Sequence, residues 1–194
     1  MKNVQREFET VDLLLKSESQ TGRTDAFILS WVKVEKQIRK LFVYMVFQFL
    51  AFSPSNKNEI IKAFVPFRNL YFDNYISGFD AIYRTSFQQI VGGDYDELRP
   101  KLDEIRKKYR NKILHGQLTG HGLNAKQLSE QVEVMRKWIT LIAEKLSSEI
   151  GYDGLESSAF RKFKEPTFSS SFQFQIGNVK ELDTFIKESM GGRI

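Results

Sequence analysis

The residues with the clearest capacity for chemistry lie in one string, Arg110-Asn111-Lys112-Ile113-Leu114-His115-Gly116. Four residues separate an Arg from a His there, and an amide side chain directly follows the Arg. Histidine suits acid or base work near neutral pH because its reference pKa is about 6.5, and arginine offers a planar fork that matches phosphate oxygens. Asn111 can orient the imidazole or hold a phosphate oxygen. The surroundings are cationic. From Lys101 to His115, Lys101, Arg106, Lys107, Lys108, Arg110 and Lys112 oppose only Asp103 and Glu104, so most of the net charge of +5 sits beside the string. Arg106, Lys107 and Lys112 are therefore candidate contacts to a polyanion.

This set fits one reaction well. An RNA strand breaks when its 2′-OH attacks the neighbouring phosphorus, which calls for a proton acceptor, a proton donor to the leaving oxygen and a cation for the developing charge. No metal is required. The chain has only two His residues, His115 and His121. An acid–base His pair must therefore use both or bring together His115 from two subunits. His121 lies in Gly120-His121-Gly122, a turn poorly suited to fixed catalytic geometry, so it is read as an RNA contact and the symmetric pair is preferred. In an ideal helix Asn111 and His115 share a face, whereas Arg110 and His115 are roughly 140° apart. Because Gly116 follows His115, unwinding at the helix end could let the Arg reach round to the same cleft.

The string resembles the Rx4-6H motif of HEPN domains, an all-helical family of metal-independent RNA-cleaving proteins and their inactive relatives. The resemblance covers residues 26 to 150, and only the motif within it is specific. It implies a helical bundle that dimerises so that two motifs meet in one cleft, with Arg110 and His115 as the catalytic pair and Asn111 as the polar residue often found after the Arg. It also implies no cofactor and no metal, RNA as the partner, and a role as a toxin or antiphage effector, with an antitoxin or effector partner. In one HEPN toxin group silenced by nucleotidylation a Tyr stands two residues after the motif His; Gln117 stands there in this chain, so that control is not implied. The alternative reading is a non-catalytic HEPN-like module that binds RNA or a protein.

A simpler physical reading competes. Cations near a helix C-terminus, followed by Gly, are what helix-end electrostatics favours in any protein. Other chemistries have less to offer: there is no Gly-rich phosphate loop ending in Lys-Ser/Thr, no HExxH or Cys/His metal spacing, and no GxSxG elbow. Asp94, Asp96 and Glu97 read as a solvated loop and helix start rather than a metal site.

The elements that must position the motif are helical. Val4, Phe8, Val11 and Leu15 recur at helical spacing, and Phe27, Trp31, Ile38, Phe42, Met45 and Phe49 predict a helix over 26–52. Glu35 interrupts that stripe, where an ionised carboxylate needs a cation: Arg39 one turn on, or Arg110, which it would then orient. Leu70, Phe79, Ile82, Tyr83, Phe87 and Ile90 predict a second core helix to Val91, closed by Gly92-Gly93. The motif helix is expected to start at Pro100, with Leu102, Ile105, Tyr109 and Ile113 as its core face, and to end at Gly116. Asn124 and Gln127 form a capping box for a last core helix over Leu128 to Leu146. There is no internal repeat and no βαβ alternation, so the expectation is an all-α, up-and-down bundle.

Domain organisation follows from composition. Residues 1–150 read as the bundle, with an N-terminal helix and linker over 1–24 and the core over 25–150. Residues 151–194 read as a Phe/Ser-rich extension, in which Phe172, Phe174 and Ile176 alternate with Gln as in an arm or short strand and Asn178 caps a short helix. Seventeen Phe are more than a slim bundle readily hides, which points to an oligomer interface. The absence of Cys excludes disulfides and thiolate metal sites. No signal peptide is evident and the longest apolar stretch, 41–52, is too short for a bilayer, so no membrane association and a cytoplasmic location are expected.

Overall fold

The computed structural model describes residues 2–17, 19, 21–67, 69–116, 124–155, 158–160 and 169–192. The chain is an all-α helical bundle, as its periodicities predict. Its elements are α1 (Lys2–Lys16), α2 (Gly22–Val46), α3 (Lys57–Phe64), α4 (Phe72–Ile82), α5 (Phe87–Val91), α6 (Gly93–Glu104), a π-helical turn (Ile105–Arg110), α7 (Asn111–Leu114), α8 (Ala125–Ile150) and α9 (Val179–Ser189). Among the described residues no helix is long and apolar enough to cross a membrane. The chain packs as two compact units, Met1–Val34 with Val91–Lys145, and Glu35–Ile90 with Leu146–Ile194.

In the first unit the apolar stripes meet as their spacing requires. Phe8 and Val11 of α1, Phe27 and Trp31 of α2, Leu98 and Leu102 of α6, and Leu128, Val132, Met135, Trp138 and Ile142 of α8 are buried. Arg136 of α8 ties α1 in two ways, by an ion pair with Asp12 and by stacking its guanidinium 4.3 Å from the centre of the Phe8 ring. The anticipated capping box is present: Asn124 Oδ1 accepts from the Gln127 N–H at 2.9 Å, and Gln127 Oε1 accepts from the Asn124 N–H at 3.1 Å. Two backbone donors at the start of α8 are thereby satisfied.

The motif helix begins earlier than expected. Gly92, at φ 82°, precedes α6, and Pro100 lies inside that helix rather than in its first turn. The Asp94 to Arg99 segment is helical because its acidic residues suit the helix N-terminus and because pairs at i,i+4 lace across the proline: Glu97 with Lys101 at 2.6 Å and Arg99 with Asp103 at 2.6 Å. Tyr95 adds a ring contact, 5.7 Å from the Trp138 ring.

The second unit is built on aromatic packing. The Phe42 ring stacks on Phe185 of α9 at 6.4 Å and 10°, Phe49 meets Phe172 at 4.7 Å, and Phe79 meets Phe87 edge-on at 5.3 Å. Helix α9 packs on α3 and α4, so this part of the Phe/Ser-rich extension contributes to a core. Gly78 makes room for it; a Cβ there would lie 2.7 Å from the Phe42 ring and 2.9 Å from Met190. Among the described residues twelve Phe are buried, and their rings fill the cores of the two units.

The helix predicted to run to Val91 is broken after Ile82 instead. Residues 171–173 supply the competing hydrogen bonds: Arg84 N donates to Ser171 O at 3.0 Å and Gln173 N donates to Ile82 O at 2.8 Å, framing an antiparallel bridge between Tyr83 and Phe172. Asp80 Oδ1 accepts from the Phe87 N–H at 2.6 Å and restarts the chain as α5. Thus Phe172 sits in a single bridge rather than a strand.

Candidate functional site

The turn that carries the motif Arg is π-helical, with i→i+5 bonding over Ile105–Arg110. Its one extra residue rotates everything after it by about one residue step, roughly 100°, relative to an unbroken α-helix. Arg110 therefore comes to lie above the buried Ile105, the position that straight α-helical phasing assigns to Tyr109. This is why the expected core face holds for Leu102 and Ile105, which are buried, and fails at Tyr109 and Ile113, which are only partly covered.

The half-buried Arg110 guanidinium lies 6.0 Å from the centre of the Trp31 ring, and its Nη1 donates to Asn111 Oδ1 at 2.9 Å. The tryptophan supplies a flat π face that attracts the cation. The amide oxygen of Asn111 is engaged by the guanidinium, and the amide nitrogen is a donor group. Trp31 is the residue that the motif alone did not disclose. Its core position was legible, but its meeting with Arg110 depends on the π-helical turn.

His115 caps the end of α7. Its backbone N–H donates to Asn111 O at 3.1 Å, and Gly116, at φ 63°, turns the chain away from the helix with its N–H bonded to Ile113 O. The His115 side chain is exposed, and no hydrogen bond joins its imidazole to Arg110, Asn111 or any other described side chain. Beside it Leu114 is 49% exposed. The structure thus brings Arg110 and Asn111 together in one hydrogen-bonded unit and sets His115 at the solvent-facing helix end one turn on. His121 lies outside the described residues, as does Gln117.

The remaining cations divide by their partners. Arg106 donates to Asp103 at 3.2 Å, and Lys108 to Glu104 at 2.8 Å, a bond that holds the lysine's pKa above its ordinary value. Lys107 is exposed, and Lys112 is partly covered. Both anions of the segment are therefore held by neighbouring cations, Asp103 by Arg99 and Arg106 together. Glu97, in the acidic stretch before the motif, is held below the usual carboxylate range by the hydrogen bond from Lys101. Glu35, half-buried, makes its field felt at Tyr75, where Arg39 acts in the opposite sense.

No protein-family model matches the chain, and no curated protein or solved structure is significantly similar to it. The site pairs a guanidinium backed by an aromatic face with the neighbouring Asn111 amide, and sets an accessible imidazole at the end of a cationic helix.

Proposed function

We propose that this chain is a metal-independent endoribonuclease of HEPN type that acts as a homodimer in the cytoplasm, in the manner of a toxin or antiphage effector with a restraining partner. The single observation that carries the reading is the Arg110–Asn111 pair, hydrogen-bonded at 2.9 Å one turn before an exposed His115. In this mechanism the scissile phosphate is gripped by the Arg110 fork and by the Asn111 amide. One His115 takes the proton of the 2′-OH, whose oxygen attacks phosphorus. The P–O5′ bond breaks as the other subunit's imidazole donates a proton to the leaving 5′-oxygen. The products are a 2′,3′-cyclic phosphate and a 5′-hydroxyl. Arg106, Lys107 and Lys112 would hold the flanking backbone, with a strong dependence of binding on salt.

A non-catalytic RNA- or protein-binding module is the second reading, favoured by the absence of a described side chain that orients the imidazole and by the exposed Leu114 beside it. Incubating the purified protein and its His115→Ala variant with mixed RNA in excess chelator separates the two. The nuclease reading expects cleavage by the first protein only; equal inertness of both, with salt-dependent RNA binding retained, favours the module.

A further inference from the structure

The second unit contains a cleft of about 570 Å³ that the nuclease reading does not use. That volume falls within the range of roughly 300–1,000 Å³ typical of sites for small organic ligands. Its body is apolar, with Val43 of α2, Phe64 at the end of α3, Phe67, Leu70 and Phe160 among the lining residues. The rim leaves Val65 72% exposed.

The charged groups among the described lining residues of the cleft are Arg39 and Lys40, with no Asp or Glu beside them. Lys40 Nζ donates to Leu155 O at 2.5 Å, which fixes its ammonium at the wall. Among the described residues Arg39 forms no ion pair. Its charge acts on the Tyr75 hydroxyl more strongly than that of Glu35, which acts there in the opposite sense; Tyr75 also lines the cleft, and its ring packs 5.8 Å from Phe42. Burial holds the Tyr75 hydroxyl protonated, with its pKa above the ordinary value, so it is a hydrogen-bond donor throughout the physiological range. A third cation, Lys57, stands 5.6 Å from the centre of the Phe160 ring.

We propose that this cleft binds an amphipathic carboxylate, an apolar chain or ring system of about ten carbons headed by one carboxylate group. The head sits at Arg39 and Tyr75, where a planar fork and a hydroxyl donor match the two oxygens of a carboxylate. The body lies against Phe64, Phe67 and Phe160. Complementarity of charge selects this class: an apolar ligand without a head makes no use of the Arg39 fork or the Tyr75 donor, and a polyanion finds a mostly apolar wall. Occupancy requires none of Arg110, Asn111 or His115.

Calorimetric titration of the full chain with decanoate and with decan-1-ol tests the site, using the Arg39→Gln and Val65→Asp variants. Both substitutions are at accessible positions and are checked for unchanged circular dichroism. Saturable decanoate binding is expected, weakened about tenfold or more by Arg39→Gln, by placing a negative charge at residue 65, and by replacing the carboxylate with an alcohol. No decanoate binding up to about 1 mM, or equal affinity for acid and alcohol, overturns the proposal. So does a cleft variant that leaves decanoate affinity intact and changes only the sedimentation of the chain, which would make the cleft an interface between copies.

Discussion

Arg110 stands over Trp31, its guanidinium carbon 6.0 Å from the ring centre, because a π-helical turn advances the helix by one residue just before the motif. Trp31 is 2% exposed, so the cation has one face against an apolar wall and is less hydrated than a surface arginine. An arginine held in this way has already given up much of the rotamer freedom that gripping a phosphate would otherwise cost.

Arg110→Lys keeps the charge and removes the fork. The variant should fold, with a Tm within about 3 °C of the parent, since the lost cation–π and side-chain hydrogen bonds amount to about 1 kcal/mol. Cleavage of RNA should fall by about 100-fold or more, because a lysine cannot hold two equatorial phosphate oxygens in one plane. Single-turnover rates on a labelled RNA check this; a rate near that of the parent would remove Arg110 from the mechanism.

Asp80 makes stability depend on pH in a direction unusual for a carboxylate. Its burial raises its pKa, and the hydrogen bond from the Phe87 N–H only partly counteracts this. Between the ordinary carboxylate range and the raised native value the folded state binds more protons than the unfolded one, so stability falls as pH rises through that window and stays lower above it. Asp80→Asn keeps the acceptor oxygen for Phe87 and removes the charge. Its Tm should equal or exceed the parent's at pH 7, and the advantage should vanish below about pH 4. A variant less stable at pH 7 would show that the carboxylate charge is favourable where it stands.

Asn178 caps α9, its Oδ1 accepting from the N–H groups of Lys180 and Glu181, both at 3.0 Å, while Glu181 Oε2 accepts from the Gly177 N–H at 2.6 Å. Asn178→Ala should cost about 1 kcal/mol, a fall in Tm of roughly 2–4 °C for a chain of this size, and Asn178→Asp should restore most of it. Thermal unfolding followed by circular dichroism measures both; an unchanged Tm in the alanine variant would mean that α9 contributes little to the second unit.

Local signals were legible and long-range competition was not. Phe8 and Val11, the Asn124–Gln127 box, the Asn178 cap and the turn at Gly116 each depend on residues within a few positions of one another, so their spacing predicted them. The break after Ile82 depends on residues 171–173, some ninety positions away, whose backbone takes hydrogen bonds that a continuous helix would have made for itself. The π-helical turn was equally hidden, because a period of 3.6 puts Tyr109 inside and no residue type announces the extra step. Arg110, Asn111 and His115 could be picked from the string as chemical groups, but Trp31 entered the site only when the helix changed its phase. Glu35 shows the same limit: its need for a cation was readable, and the structure records its field at Tyr75 beside that of Arg39.

The end groups of the RNA fragments test the central claim most directly. Mixed RNA digested by the parent protein in excess chelator should yield fragments ending in 2′,3′-cyclic phosphate and beginning with 5′-hydroxyl, and neither His115→Ala nor Arg110→Ala should produce them above background. Fragments ending in 3′-hydroxyl and beginning with 5′-phosphate, or the same cyclic ends at undiminished rate from either variant, would contradict the assignment of the 2′-OH reaction to His115 and Arg110.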